Sequence, residues 1–324
     1  MLTLLIVACL ALGLMIEAAG QRVEAPGPLV ADTVVTIPQG AGLATISATL
    51  EEAGVIESAM LFRLAARYRG EATDLKFGEY DMPAGASMAA VLAKLTEGDT
   101  ISYRVTVAEG RTSWEVVQLL SEVPELTGEI AEIPAEGSLA PDTYFFARGD
   151  SRDSLVQRMQ AAQQEILATA WEAREPGLPL ANMEEALILA SIVEKETGQA
   201  DERPQVASVF VNRLRRGMPL QSDPTVIYGV TKGQGSLGRG IRQSELRARN
   251  DWNTYVIPDL PITPIANPGR AAIEATLNPD ETPYIYFVAD GTGGHAFSET
   301  LAEHNANVRV WRQIEAERRE AGQN

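Results

Sequence analysis

The chain has 324 residues, 45% of them hydrophobic, and a formal net charge of −17. This length supports two domains with separate cores, and the acidic balance argues against a nucleic-acid partner, which requires a basic footprint. One cysteine (Cys9) and two histidines (His295 and His304) exclude an internal disulfide and a thiolate metal cluster. We therefore expect no metal and no other cofactor. Since no Gly-x-Ser-x-Gly elbow occurs, any catalysis must rest on carboxylates.

The chain begins with an apolar run, Leu2–Ile16, followed by Glu17. A membrane span usually needs about 20 residues, so this run requires Ala18–Gly20 to complete it. No Lys or Arg precedes it, and the usual charge signal for orientation is therefore missing. A cleaved signal peptide and a lipoprotein-processing box are the alternatives. We predict a transmembrane anchor over residues 1–20 and a linker over 21–32, with the rest of the chain across the membrane from the cytoplasm.

The next segment predicts a small α+β module over residues 33–103. Short apolar stretches that end in Pro or Gly indicate strands, and apolar residues at helical spacing indicate helices. The predicted elements are strands at 34–37 and 77–82 and helices at 45–53, 58–68 and 87–95.

Residues 104–324 predict a mixed α/β domain, and the overall fold class is α+β. An alternating strand at 101–107 precedes this domain's helices, and a Gly-rich turn at 290–294 indicates a hairpin. Segment 218–229 is expected to form the wall of a cleft, and 229–240 a mobile loop. The predicted helices are 113–120, 154–171, 203–216, 270–277 and a C-terminal helix after Thr300, and the hairpin strands are 284–289 and 295–298.

The most unusual stretch is a helix that ends in carboxylates. Asn182 and Glu185 suit a capping box, and residues 186–193 are apolar on nearly all sides, which is typical of a buried helix. Glu194 and Glu196 follow in the next turn. A carboxyl held against an apolar wall has a raised pKa, as a general acid needs. A solvated helix end explains the same residues, and spacing alone does not separate Glu194 from Glu196.

Several motifs together resemble the endolytic murein transglycosylase, or YceG-like, family. The likeness covers essentially the whole chain. The motifs that carry it are Ala190–Thr197, Glu202–Arg203, Val206–Leu214, Gly217–Gly229, Asn253–Tyr255, Tyr284–Gly291 and Gly294–Phe297. The module at 33–103 is similar to the LysM-like modules that hold glycans containing N-acetylglucosamine; a small module that only positions its neighbour is the alternative.

The resemblance implies a single-pass inner-membrane protein with its catalytic domain in the periplasm. Such an enzyme cuts the β-1,4 bond between N-acetylmuramic acid and N-acetylglucosamine in nascent peptidoglycan, beside the synthases, and helps to set strand length. The family's catalytic glutamate falls on Glu196, with Glu194 as the fallback. A lytic transglycosylase uses one carboxyl as acid and then base, so that the muramic acid 6-hydroxyl closes a 1,6-anhydro ring.

Eight further polar residues are candidates to hold the sugars. For most of them a hydrogen bond that only fixes a loop is an equally good explanation. Two other functions remain open: a hydrolase in which Asp223 or Glu194 activates water, and a non-catalytic scaffold that binds peptidoglycan. The candidates are Asn212, Gln221, Asp223, Thr225, Tyr228, Asn253, Tyr255 and His295.

Overall fold

The computed structural model describes residues 2–320 as two compact units. The first unit comprises residues up to 104 together with the short segments 124–127 and 145–151, and the second comprises 105–123, 128–144 and the chain from 152 onward. Met1 and residues 321–324, which the predicted anchor and second domain include, lie outside the described residues.

The first unit is built around a two-stranded antiparallel sheet. β1 and β2 pair from Thr33 opposite Met82 to Ile37 opposite Gly78. Val35 and Ile37 alternate toward a core in which Phe62 is fully buried, as the period of two along a strand requires. Its elements are α1 (Leu2–Glu24), β1 (Thr33–Ile37), α2 (Leu43–Glu52), α3 (Ala59–Arg69), β2 (Gly78–Met82) and α4 (Met88–Glu97), and β3 (Ser102–Thr106) begins in it.

The apolar N-terminal run is helical throughout α1. Val23, near the end of α1, is buried in the core of the unit, whereas Leu10 and Leu14 are exposed. Within residues 2–320, no helix combines the length and the apolar character needed to cross a membrane. The structure therefore gives the predicted anchor no support, and the anchor stays a prediction. The LysM-like assignment of the module stays a prediction as well.

The second unit is mostly helical and encloses α7. Leu189, Ala190, Ile192 and Val193 of α7 are all fully buried, which confirms that the apolar run forms a buried helix. α7 contacts α6, α8, α9 and α11, and β5 packs on α8 and α12. The elements are α5 (Ser113–Ser121), β4 (Thr143–Ala147), which pairs with β3, α6 (Arg152–Glu172), α7 (Met183–Glu196), α8 (Arg203–Arg215), α9 (Asp223–Thr231), α10 (Gln243–Leu246), α11 (Arg270–Leu277), β5 (Tyr286–Ala289), β6 (His295–Ser298) and α12 (Leu301–Glu320).

The structure adds two elements that the sequence analysis did not predict and corrects one prediction. The segment expected to be a cleft wall contains α9, whose first turn carries Asp223 and Pro224, residue types that favour a helix start. The aromatic segment 139–146, for which no element was predicted, contains most of β4. Asn182 does cap α7, accepting from the Glu185 N–H at 2.9 Å, but the Glu185 carboxylate accepts from Ala181 N rather than from the cap's own N–H.

Candidate active site

The two carboxylates at the end of α7 have different surroundings. Glu194 Oε2 accepts a hydrogen bond of 3.0 Å from the N–H of Gly269, which is the N-cap of α11. Lys195, which lies between Glu194 and Glu196 in the sequence, donates from Nζ to Gly110 O at 3.1 Å. Burial raises the pKa of Glu194, opposed by the Gly269 N–H. Glu194 thus ties the end of one helix to the start of another.

Glu196 instead lies at two cavities. One has a volume of about 280 Å³ and is called here the hairpin cavity, because the β5–β6 turn forms much of its wall. The other, the loop cavity, has about 150 Å³ and lies beside the segment that precedes α9. The hairpin cavity is lined by Glu196, Thr197, Gly198, Ala289, Gly291, Gly293, Gly294, His295, Trp311 and Arg318, and the loop cavity by Glu196, Arg213, Leu220, Gln221, Asp223 and Phe287.

The Glu196 carboxyl keeps its proton to a higher pH than an ordinary carboxyl does. Burial raises the pKa of Glu196 to about 7, and the negative charge of Asp223 adds to the effect. The Ser222 hydroxyl, His295 and Arg213 oppose it. A carboxyl that is protonated near pH 7 in a cavity can act as a general acid.

Ser222 is a site residue that the sequence did not indicate. It is the N-cap of α9, yet its side chain makes no capping bond. Its hydroxyl is buried and has no partner with full hydrogen-bond geometry among residues 2–320, while its proximity lowers the pKa of Glu196. Free rotation about Cβ–Oγ allows this hydroxyl to donate to the carboxylate once Glu196 ionises.

His295 reaches the hairpin cavity from β6 and is fixed by a second carboxylate. Its Nδ1 lies 2.9 Å from Glu202 Oε2, and its backbone N–H donates to Glu202 Oε1, also at 2.9 Å. The Thr197 hydroxyl donates to Glu202 as well, at 3.4 Å. Because Thr197 directly follows Glu196, Glu202 links His295 to the end of α7.

Three of the predicted sugar-binding residues share a cavity with Glu196, and a fourth supports one of them. Gln221 and Asp223 line the loop cavity, and His295 lines the hairpin cavity. The Tyr255 hydroxyl donates to Asp223 Oδ1 at 2.7 Å. This bond orients the Asp223 carboxylate.

The other four predicted residues bond to the protein itself. Asn212 Nδ2 donates to Thr282 O at 2.7 Å and to Tyr284 O at 3.0 Å. Asn253, fully buried, donates from Nδ2 to three carbonyls, of residues 245, 246 and 248.

Thr225 and Tyr228 likewise face protein partners. The fully buried Thr225 hydroxyl lies 2.8 Å from that of Thr254. The Tyr228 hydroxyl donates to Glu136 at 3.0 Å, and Tyr228 lines a separate cavity of about 430 Å³. These contacts fix the loops that carry Gln221 and Asp223.

No metal cluster accompanies the site: within residues 2–320, no group of three or more His, Cys, Asp and Glu side chains is arranged to hold a metal ion.

Comparison with known proteins places the chain in a family. The YceG-like family model matches residues 35–310. An endolytic murein transglycosylase of Bacillus subtilis is 30% identical over 84% of this chain and 82% of its own length. One from Streptococcus pneumoniae is 29% identical over 85% of this chain, which spans 57% of that protein. A crystal structure of a yceG-like protein from Listeria monocytogenes superimposes with a TM-score of 0.52 and 29% identity, covering 85% of this chain and 98% of that one. The chain belongs to the YceG-like family.

Proposed function

We propose that this protein is an endolytic lytic transglycosylase that cleaves the β-1,4 bond between N-acetylmuramic acid and N-acetylglucosamine within peptidoglycan strands. The observation that carries the proposal is the position of Glu196, a carboxyl with a pKa of about 7 that is shared by two cavities. A bond inside a glycan strand has a sugar on each side, so its acid must lie between two binding spaces. The names of the relatives support the same substrate class.

The reaction then needs one carboxyl. Glu196 gives its proton to the glycosidic oxygen, the C1–O4 bond breaks, and the N-acetylglucosamine end leaves with a new 4-hydroxyl. The 6-hydroxyl of the muramic acid attacks C1, and its proton passes to the Glu196 carboxylate. The product is a 1,6-anhydro ring, no water is consumed, and Glu196 ends in the protonated form in which it began.

A hydrolase is the second candidate, because Asp223 lines the loop cavity together with Glu196. Glycoside hydrolases commonly pair an acid with a second carboxylate that activates water or attacks C1. In the present structure the Tyr255 hydroxyl already donates to one Asp223 oxygen, which leaves the other oxygen to meet a water or the substrate. Glu194, the other residue considered for this role, is bonded to the Gly269 N–H.

Mass spectrometry of digested peptidoglycan strands tests these assignments. We expect the wild-type protein to release ends one water lighter than reducing ends, and Glu196→Gln to release none. Glu194→Gln is the matched control two residues earlier, since a glutamine can still accept from Gly269 N. Reducing ends in place of anhydro ends would favour the hydrolase. Activity that survives Glu196→Gln but not Glu194→Gln would transfer the acid role to Glu194. A wild-type protein that releases no new ends of either kind would favour a non-catalytic scaffold.

The location and the partners of the protein form a second part of the proposal. We propose that residues 1–20 anchor it to the inner membrane, with the catalytic unit in the periplasm beside the peptidoglycan synthases and the LysM-like module holding the strand. The motifs that resemble this family support the proposal. Membrane fractionation of the full chain and of a chain lacking residues 1–20 tests the anchor: equal release of both into the soluble fraction would contradict it.

A further inference from the structure

Arg213 in α8 is a buried cation beside the proposed catalytic carboxyl. Only 7% of the surface of Arg213 is exposed to solvent. Nε donates to Ile285 O at 2.7 Å and Nη1 to Leu220 O at 2.8 Å. The guanidinium lies 5.3 Å from the centre of the Tyr286 ring. Its N–H groups thus have carbonyl and aromatic partners, but none of these carries a negative charge.

Among residues 2–320, the hydrogen-bond acceptors of Arg213 are backbone carbonyls and the Gln221 amide oxygen, and none is a carboxylate. A buried charge without a counter-charge is costly, and burial indeed lowers the pKa of Arg213. Tyr286, Tyr255 and Glu196 oppose this effect, and Glu196 is the carboxylate among them. Arg213 and Glu196 both line the loop cavity, so each charge acts on the other across that space.

The backbone next to Arg213 is strained. Gln221 has a φ of +51°, a left-handed conformation that costs a residue with a side chain about 1–2 kcal/mol. Arg213 Nη1 bonds the two carbonyls that precede it, of Pro219 (3.3 Å) and Leu220, and reaches Gln221 Oε1 at 3.5 Å. From the other side, Gln221 N donates to Thr254 O at 3.1 Å. Strain of this kind persists only where neighbouring bonds hold it.

We propose that Arg213 is a positioning residue of the active site, which supplies the counter-charge for ionised Glu196 and clamps the strained turn at Gln221 against the loop cavity. This inference rests on the proposed function and assigns Arg213 no contact with substrate. Glu196 changes from neutral to ionised when it gives up its proton. A fixed cation across the cavity stabilises the ionised form, and so makes Glu196 a stronger acid.

Other charged and titratable groups face the same pair. Asp223 at the start of α9 raises the pKa of Glu196, whereas His295 on β6, which is bonded to Glu202, lowers it. Tyr286 on β5 and Tyr255 face Arg213, and Arg213 in turn lowers the pKa of His304 on α12, where burial is the larger cause. Arg213 lowers the pKa of Glu196 and Asp223 raises it. When the Arg213 charge is removed, the effect of Asp223 remains, so the pKa of Glu196 must rise.

The test compares two substitutions that separate charge from geometry. Arg213→Met removes the charge. Arg213→Lys keeps it but lacks the separate guanidinium nitrogens that reach Ile285 O and Leu220 O. Arg215→Met is the control, because Arg215 lies on the same helix, is exposed, and donates only to Gly177 O at 3.4 Å among the described contacts. For each protein, kcat and KM for release of anhydro ends from soluble glycan strands are measured from pH 5 to 9, together with the thermal midpoint.

We expect Arg213→Met to move the alkaline fall of kcat/KM upward by about one pH unit and to lower its plateau about tenfold. Arg213→Lys should keep the fall at the wild-type pH but raise KM, since the turn at Gln221 is no longer clamped. Arg215→Met should match the wild type in all respects.

Three results overturn the inference. The first is a folded Arg213→Met protein whose alkaline fall stays at the wild-type pH, and the second is an equal shift in the Met and Lys variants. The third is failure of both Arg213→Met and Arg213→Gln to fold while Arg213→Lys folds, since the charge would then serve the core rather than Glu196. If the wild type itself releases no anhydro ends, the proposed function fails; if it does and the fall does not move, only the role of Arg213 fails.

Discussion

Substitution of Glu196 by glutamine should stabilise the protein at high pH, although it abolishes the proposed activity. Burial raises the pKa of Glu196 from 4.5 to about 7. A carboxyl whose pKa is raised on folding binds its proton more tightly in the folded state. It therefore destabilises the folded state once the pH exceeds its pKa in the unfolded chain. Glutamine has nearly the same shape but stays neutral at every pH.

The two pKa values give the size of the effect. The free energy of unfolding lost to this group is less than about 1 kcal/mol at pH 5 and about 3 kcal/mol at pH 8. The difference between the two pH values, about 2 kcal/mol, is independent of any constant cost of burying an amide. For a unit of this size, 1 kcal/mol corresponds to about 2–4 °C in Tm, so Glu196→Gln should gain about 4–8 °C relative to wild type between pH 5 and pH 8.

Thermal unfolding of both proteins at pH 5 and at pH 8 measures this double difference. Glu184→Gln is a suitable control, since it removes a carboxylate from the exposed first turn of the same helix. We expect the control to shift Tm by the same amount at both pH values. If Glu196→Gln also shows no change between pH 5 and pH 8, then Glu196 is not desolvated in the folded protein and the general-acid assignment loses its physical basis.

Three further predictions concern the surroundings of Glu196. The wild-type kcat/KM should fall above about pH 7 as Glu196 ionises, and Asp223→Asn should move that fall to lower pH, because the charge of Asp223 raises the pKa; pH profiles of both proteins measure this. Asn253→Ala should lower the free energy of unfolding by about 2–3 kcal/mol, measured by thermal unfolding, since it removes a fully buried amide that donates to three carbonyls. Gly269→Ala should destabilise by about 1–2 kcal/mol, because its Cβ would lie 1.9 Å from Glu109 Oε1; truncation of Glu109 in a double variant should recover most of the loss.

The burial of α7 could be predicted because the residues of the helix itself indicate it. A helix that is apolar on all sides has no face to give to water, whatever the rest of the fold. The start of α7 could be predicted from nearby residues as well, since Asn182 accepts a hydrogen bond from the N–H three positions on. The start of α9 carries a similar signal in Asp223 and Pro224, although the sequence analysis interpreted that segment only as the wall of a cleft.

The roles of polar residues could not be predicted in the same way. An asparagine that binds a sugar and one that binds a distant carbonyl are the same group in the sequence. Asn212 meets the carbonyls of Thr282 and Tyr284, which lie 70 and 72 positions away. Arg213 could not be recognised as a site residue for a similar reason, because an arginine near the C-terminal end of a helix is usually exposed. Its burial depends on the strand after residue 285, which only the fold brings near.

The choice between Glu194 and Glu196 shows what the fold adds. Two positions along a helix differ by about 200° in direction, so the two carboxylates point to nearly opposite sides, and their chemistry is set by what each side meets. Glu194 meets an N–H at the start of α11, a contact that favours its ionised form and ties it to a structural task. Glu196 is the last residue of α7, and the chain turns to an extended conformation at Thr197. The backbone thereby leaves the Glu196 side chain at the hairpin and loop cavities, where desolvation and the neighbouring Asp223 keep the proton that the proposed reaction requires.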